Sequence, residues 1–216
     1  MPVQYETPQT IFDSRASQYD HKRFRRFMYK LLDHAVMNAI PKVKSYPQAI
    51  LDVGCGTGRF LGHMEKQFPQ TQLTGVDISP GMINIAKRKV ASNPLFDFHI
   101  ASADKLPPSF YNSFDLAFSI ISFHYWKRPV ASLREIHRVV RPGGFFILAD
   151  GFLTKGLLGS LPRVYFKLFR KELSEEYFYS AEKIGQMFVE ADWRVLEQRR
   201  IWLLGGTILI TVGQQA

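Results

Sequence analysis

Three glycines alternate with other residues in the segment Asp52-Val53-Gly54-Cys55-Gly56-Thr57-Gly58. Glycine lets a backbone turn sharply and approach a bound molecule closely, because it has no Cβ. The apolar run 49–53 predicts a strand and the stretch 57–68 predicts a helix, whose N-terminal N–H groups suit a carboxylate or a phosphate. The dinucleotide fingerprint places its third glycine one residue later. A pyrophosphate is therefore not the favoured ligand of this loop.

Two acidic residues follow later predicted strands. Asp77 stands nineteen residues after Gly58 at the end of the second strand, where a carboxylate can accept hydrogen bonds from both ribose hydroxyls of an adenosine. Asp104 follows the third strand, in a turn with small and apolar side chains that suit an adenine edge. Together these residues predict an adenosine ligand with a small tail that carries a carboxylate.

The elements that position these residues alternate between strand and helix from about residue 48, which predicts an α/β fold with a parallel sheet and crossover helices. The predicted strands are 49–53, 72–77, 96–101, 114–121 and 145–150, and the predicted helices between them are 57–68, 79–91 and 129–140. A helix at about 22–40 precedes the sheet. A basic aromatic helix within 152–176, a helix over 180–191 and a hairpin formed by 193–202 and 207–212 follow it.

Six segments, in this order, make the chain resemble the class I S-adenosylmethionine-dependent methyltransferases, in particular the type 11 group that includes the ubiquinone and menaquinone biosynthesis enzymes. The segments are an FDxxAxxYD-like opening at 12–20, LDVGCGTG at 51–58, GVDIS at 75–79, ASADKLP at 101–107, FDLAFS at 114–119 and EIHRVVRPGG at 135–144. The resemblance implies a Rossmann-like three-layer sandwich. Its seven-stranded sheet is mostly parallel, with an antiparallel strand in the terminal hairpin, an N-terminal helix and a helical cap.

At 216 residues the chain is expected to form one methyltransferase domain. We divide it into an N-terminal helical lid at 12–47, a cofactor-binding core at 48–150, a cap insertion at 151–178, and the last helix with the closing hairpin at 179–216.

The resemblance implies S-adenosyl-L-methionine as the cofactor and gives roles to individual residues. Asp52 and the backbone of the glycine loop would hold the methionine end, Asp77 the ribose, and Tyr19 would close over the site. Ile78 and Met82 would pack near the adenine, and Ala103 with Asp104 would contact its edge. The complete expected set is Tyr19, Asp52, Gly54, Cys55, Gly56, Gly58, Asp77, Ile78, Met82, Ala103, Asp104, Leu106, Ser119 and Ile120, with Cys55 as a small filler of the loop.

The methyl acceptor is expected beside His124, which directly follows the fourth strand. A neutral imidazole there could remove a proton from the acceptor, or the ring could shape the pocket wall. Asp150, at the end of the fifth strand, is either a second base or a cap for backbone N–H groups. Relatives carry an acidic residue where this chain has Arg128, which leaves the role of His124 open. The expected acceptor pocket consists of Phe123, His124, Tyr125, Tyr165 and Phe169.

The formal net charge of +9, from 28 Lys and Arg against 19 Asp and Glu, is concentrated in two segments. Residues 21–30 and 155–171 each hold five basic and no acidic residues, which leaves 18 basic and 19 acidic residues elsewhere. Each segment is either a solvated helix face or a contact with an anionic membrane surface. In the leading helix, the predicted apolar face consists of Phe24, Phe27, Met28, Leu31 and Ala35.

These patterns predict a small amphipathic acceptor, such as a prenylated quinol, a phenol or a phospholipid. RNA methylation is the alternative, although the segment 119–122 lacks the Asn/Asp-Pro-Pro-aromatic sequence of base-amine methyltransferases. A non-catalytic cofactor-binding protein is a third possibility. The single cysteine excludes an internal disulfide, and no Cys/His cluster has zinc spacing, so we expect no metal and a cytoplasmic protein, either soluble or peripheral to a membrane.

Overall fold

A computed structural model describes residues 7–16, 19, 23–40, 46–90, 93–151, 177–203 and 206–215. The predicted basic aromatic helix, with Tyr165, Phe169 and the whole basic segment 155–171, lies outside these residues. The division into lid, core and cap therefore stays a prediction. Among the described helices, none is both long and apolar enough to cross a lipid bilayer.

Seven strands form one sheet, as predicted. They are β1 (Ala49–Val53), β2 (Gln72–Asp77), β3 (Phe96–Ile100), β4 (Phe114–Ile120), β5 (Val140–Gly151), β6 (Trp193–Leu203) and β7 (Gly206–Gln215). Their order is β3-β2-β1-β4-β5-β7-β6. The first five strands pair in parallel, and β7 runs antiparallel to both β5 and β6.

Helices cover both faces of the sheet and make the three predicted layers. They are α1 (Pro8–Arg15), α2 (Arg23–Met37), α3 (Arg59–Gln67), α4 (Pro80–Val90), α5 (Pro129–Val139) and α6 (Ala181–Glu190). One hydrophobic core joins α5 and α6 to one face, with Leu133 and Phe188 fully buried. The other core joins α2, α3 and α4 to the opposite face, with Leu61 and Ile83 fully buried. Burial of each such side chain contributes about 1.5–3 kcal/mol.

The strand order reverses between β1 and β4, which both pair with their neighbours in parallel. Asp52 on β1 lies opposite Gly75 of β2 on one side and Phe118 of β4 on the other. In open α/β sheets a ligand crevice forms at such a reversal, outside the carboxyl ends of the strands. The fold therefore places the glycine loop and the residues after β4 at the edges of one crevice.

The buried face of α2 differs from the prediction. Leu32 and Val36 are buried against the second core, whereas Phe27 is 50% exposed and Leu31 is 38% exposed. The sequence of α2 carries two apolar stripes, and the helix packs with the stripe that reaches the sheet. The predicted apolar face is thus wrong for Phe27 and Leu31.

The strand β5 begins at Val140, five residues earlier than predicted. Val140 pairs with Phe114 and Phe145 pairs with Leu116, so the pairing of β4 with β5 shifts register between Phe114 and Leu116. Asp115 lies at this irregularity, where its carboxylate accepts hydrogen bonds from the N–H groups of Gln48 and Ala49 at 2.7 and 3.0 Å. Asp115 therefore has a structural role at the start of β1.

Candidate cofactor and acceptor site

A cleft of about 620 Å³, including its opening to solvent, lies at the strand reversal. Its lining comes from α1, α2, the glycine loop, the start of α3, the end of β2 and the turn after β4. The lining residues are Phe12, Tyr19, Tyr29, Asp52, Gly54, Cys55, Gly56, Thr57, Arg59, Phe60, Asp77, Met82, Ile120, Ile121, Ser122 and Tyr125.

The glycine loop is held against β2 and leaves open space on its cavity side. The N–H groups of Gly54 and Cys55 both donate to the carbonyl of Val76, at 2.8 and 3.0 Å. Gly54 has a φ of +80°, and a Cβ there would collide with the Ser122 side chain. At Gly56, with a φ of +54°, a Cβ would meet nothing within 4 Å. The loop therefore forms a cradle that a ligand can enter.

Asp77 connects the glycine loop to the next helix. One oxygen of its carboxylate accepts from Gly56 N–H at 2.8 Å, and the other accepts from Ser79 N–H at 2.9 Å. Burial raises the pKa of Asp77, while these backbone hydrogen bonds oppose the rise. Asp77 thus lines the cavity and also fixes the loop that would contact a ligand.

Asp52 presents a carboxylate without a hydrogen-bond donor from the described part of the chain. The residue is only 3% exposed and lines the cavity. Burial raises its pKa to about 7, and the nearby carboxylates of Asp77 and Asp33 add to the rise, while the Arg59 guanidinium opposes it. A buried carboxylate of this kind gains most from a cationic ligand group.

Aromatic side chains from the N-terminal helices cover the cavity. The hydroxyls of Tyr19 and Tyr29 lie 3.0 Å apart, and the rings of Phe12 and Tyr125 meet edge to face at 5.1 Å. The α1 helix is attached to α4 through Asp13, whose carboxylate accepts from Gly81 N–H at 2.9 Å. Residues from distant parts of the sequence therefore share one wall of the cavity.

The residues expected to bind the cofactor fall into two groups. Eight line the cavity, namely Tyr19, Asp52, Gly54, Cys55, Gly56, Asp77, Met82 and Ile120. Six lie outside its lining, namely Gly58, Ile78, Ala103, Asp104, Leu106 and Ser119. Asp104 is paired instead with Arg128, whose Nη2 lies 2.6 Å from its carboxylate, and with the Ser102 hydroxyl. An adenine contact through Asp104 stays a prediction.

Ser119 lies behind the residues that line the cavity and contacts one of them, Ser122. Its hydroxyl lies 2.6 Å from that of Ser122, which donates to the carbonyl of Val53 at 3.2 Å. These bonds fix the turn after β4 against the end of β1. Ser119 therefore shapes the wall without lining it.

His124 and Asp150 form a buried pair beside the cavity. Nδ1 of His124 lies 2.8 Å from Oδ1 of Asp150, and the backbone N–H of His124 donates to Oδ2 at 3.2 Å. An Nδ1 proton held by a carboxylate leaves Nε2 as an acceptor. The imidazole centroid lies 3.9 Å from that of Tyr125, which lines the cavity, and the ring stacks on Phe178.

Among the other residues of the expected acceptor pocket, Phe123 does not line the cavity. Its ring packs edge to face on Trp126 and Tyr179 in the first core. Tyr125 does line the cavity, next to Phe12. The acceptor pocket as a whole stays a prediction.

Seven lining residues were missed by the sequence reasoning: Phe12, Tyr29, Thr57, Arg59, Phe60, Ile121 and Ser122. Arg59 had a usable signal, because it directly follows the glycine loop and opens α3. Tyr29 had none, because its position depends on how α2 packs against the sheet.

Comparison with known proteins relates the fold of this chain to that of solved methyltransferases. The chain resembles solved S-adenosylmethionine-dependent methyltransferases in fold, including one from Thermotoga maritima with a TM-score of 0.73 and 21% identity, over 96% of this chain and 99% of that one. A Haloferax volcanii protein solved in complex with the Trm112 methyltransferase activator gives a TM-score of 0.77 and 23% identity, over 94% and 96% of the two chains. At 21% and 23% identity, these likenesses show that the chain shares the fold of such methyltransferases.

Residues 51–148 match the family model described as "Methyltransferase domain" of type 11. Malonyl-acyl-carrier-protein O-methyltransferase of Anoxybacillus flavithermus is 33% identical over 59% of this chain and 46% of its own length. Demethylmenaquinone methyltransferase of Chlorobaculum parvum is 30% identical over 73% and 65%. The chain spans about half the length of the curated relatives it matches. The predicted class, fold and cofactor are confirmed.

Proposed function

We propose that the protein transfers a methyl group from S-adenosylmethionine to a small amphipathic acceptor. The observation that carries this proposal is the cavity itself. A buried carboxylate without a hydrogen-bond donor among the described residues, an open glycine cradle and an aromatic wall face the same space there. The cofactor, when bound, supplies an electrophilic methyl group on a positively charged sulfur. The residues that line the cavity supply groups that complement the charges of this cofactor.

Asp52 would attract the positively charged end of the cofactor, and Asp77 would accept hydrogen bonds from its ribose. The glycine loop would allow close approach of the ligand along its backbone. Phe12, Tyr19 and Tyr125 would exclude water and hold the acceptor in line with the methyl group. Alignment of this kind is the main source of rate in a displacement that needs no covalent enzyme intermediate.

The His124–Asp150 pair supports an acceptor that must lose a proton. Asp150 orients the imidazole and holds a proton on Nδ1, so that Nε2 can act as a general base. A carboxylate acceptor is already ionised at neutral pH and needs no base, whereas a phenol or quinol hydroxyl does. Among the acceptors, this favours the phenol or quinol type, in keeping with the relative named demethylmenaquinone methyltransferase.

The exposed face of α2 supports an amphipathic acceptor. Phe27 and Leu31 are apolar and exposed, and Lys30 is exposed between them in the sequence. Apolar and basic side chains together suit the boundary between lipid headgroups and acyl chains. A test is co-sedimentation with liposomes, in which binding should increase with anionic lipid. Binding that does not increase with anionic lipid would remove the membrane contact from the proposal. Binding that stays unchanged when the basic residues in 155–171 are neutralised would remove it as well.

The acceptor can be identified by incubating the full chain with S-adenosylmethionine labelled at the methyl group and with a cell extract separated into lipid, small-molecule and RNA pools. We expect label in the lipid or small-molecule pool. Label confined to RNA would overturn the proposed acceptor and favour RNA methylation. Cofactor binding without any labelled product would favour the non-catalytic alternative.

A further inference from the structure

Arg59 is the single positively charged side chain among the described residues that line the cavity. The other charged lining residues are Asp52 and Asp77. The cavity thus presents two acidic groups and one basic group to a ligand. The methionine end of S-adenosylmethionine carries an ammonium and a sulfonium, which are positive, and a carboxylate, which is negative. Only Arg59 offers this carboxylate an opposite charge from the described lining.

The guanidinium of Arg59 is held by two residues of α2. Its Nη1 donates to Oδ2 of Asp33, and its Cζ lies 4.5 Å from the ring centroid of Tyr29. Asp33 is only 3% exposed, and its Oδ2 also lies 2.9 Å from Nδ1 of His63. One face and one nitrogen of the guanidinium are therefore occupied, which fixes the plane of the group.

The remaining N–H groups of Arg59 are available to a ligand. Its Nε and Nη2 donate to no acceptor among the residues that the structure describes, and its side chain is 25% exposed. Nε and Nη2 form one edge of the planar guanidinium, and such an edge binds a carboxylate through two parallel hydrogen bonds.

We propose that Arg59 binds the α-carboxylate of the methionine end of the cofactor, and that Asp33 and Tyr29 position its guanidinium. This inference rests on the proposed cofactor site and adds a residue that fixes the direction of the bound amino-acid end. Asp52 attracts the ammonium and the sulfonium, whereas Arg59 attracts the carboxylate. The positioning residues lie on α2, so this N-terminal helix takes part in cofactor binding.

The alternative is that Arg59 only neutralises Asp33 and Asp52. In that case its removal would weaken every ligand of the cavity alike, because the cavity would change its shape and charge without losing a specific contact. Two ligands that differ only in the carboxylate separate these possibilities. They are S-adenosylmethionine and decarboxylated S-adenosylmethionine.

The experiment is calorimetric titration of the full chain with both ligands. Wild type should prefer the ligand that has the carboxylate. Arg59→Gln should weaken S-adenosylmethionine by roughly 10- to 100-fold, as expected for loss of a charged hydrogen bond, and should leave the decarboxylated ligand within about threefold of wild type. Arg88→Gln removes the same charge from an exposed position on α4 and should change neither affinity.

Because Arg59→Gln leaves the buried Asp33 carboxylate without its partner, the double variant Arg59→Gln/Asp33→Asn is measured beside it. It should show the same loss of preference. An equal loss for both ligands would overturn the role of Arg59 while the cofactor site stands. Failure of wild type to bind either ligand would overturn the cofactor site itself. Asp33→Asn alone should reduce the preference, and an unchanged preference would exclude a positioning role for Asp33.

Discussion

At the scale of single residues, the site depends on carboxylates that burial makes costly. Asp52 has no hydrogen-bond donor in the described part of the chain, and Asp77 has two. The first is therefore free to meet a ligand cation, whereas the second is partly used to hold the glycine loop. A buried carboxylate without hydrogen-bond donors, such as that of Asp52, reduces the stability of the ligand-free protein and contributes binding energy when the ligand binds.

Asp52→Asn is expected to stabilise the ligand-free protein at neutral and alkaline pH. The pKa of Asp52 rises from 3.8 to about 7 on folding, so the folded state binds this proton more tightly than the unfolded chain does. The associated stability is present below about pH 4 and is lost as the pH rises to about 7. The variant removes a cost of as much as about 4 kcal/mol above pH 7.

Thermal unfolding of wild type and Asp52→Asn from pH 4 to pH 8 measures this effect. The difference between their melting temperatures should grow up to about pH 7 and then stay constant. A difference that is constant over the whole range would contradict the raised pKa.

His124→Gln is expected to lower kcat by about 10²–10⁴-fold with little change in cofactor affinity, because the general base proposed for His124 would act on the acceptor and not on the cofactor. Asp150→Asn should lower kcat less and act through the orientation of the imidazole. The readout is the rate of methyl transfer at saturating cofactor, measured beside the calorimetric affinity for the cofactor, and only the rate should fall in His124→Gln. His99→Gln, on the edge strand β3, is the matched control. A His124→Gln variant that loses stability while keeping its rate would show that His124 is structural.

At the scale of elements, five strands and three helices of the core were predictable because each has a local pattern. The strands β1 to β4 are short apolar runs bounded by turn residues, and α4 begins at Pro80, within one residue of the predicted start at 79. The α1 helix was not predictable in this way, because its attachment depends on Asp13 reaching Gly81, far along the chain. The prediction of the buried face of α2 was wrong for a similar reason, because the sequence of this helix carries two apolar stripes and only tertiary packing selects one of them.

Asp115→Ala is expected to lower the free energy of unfolding by about 2–4 kcal/mol, because two backbone N–H groups and the Arg141 guanidinium lose their acceptor. Asp97→Ala is a matched control, since its side chain is 66% exposed and paired only with His99 among the described residues. It should cost less than about 1 kcal/mol. Urea denaturation measures both variants. Equal losses would contradict the anchoring role of Asp115.

At the scale of the whole molecule, the site forms where several helices and strands pack together. The sheet supplies the glycine loop, Asp52 and Asp77, all of which the sequence alone made recognisable as a cofactor site. The N-terminal helices supply Phe12, Tyr19 and Tyr29, together with the Asp33 that holds Arg59. Phe12 and Tyr19 belong to the FDxxAxxYD-like segment at 12–20, whereas Tyr29 and Asp33 have no spacing signature, because their positions depend on how α2 packs across the crevice.

The most direct test of the account is calorimetric titration of the full chain with S-adenosylmethionine, comparing wild type with Asp77→Ala. We predict one binding site in wild type and an affinity roughly 10- to 100-fold lower in the variant, because the ribose hydroxyls and the glycine loop lose a charged acceptor. Asp97→Ala should bind as wild type does. No binding by wild type, or equal affinity of Asp77→Ala and wild type, would contradict the central claim that this cavity holds the cofactor.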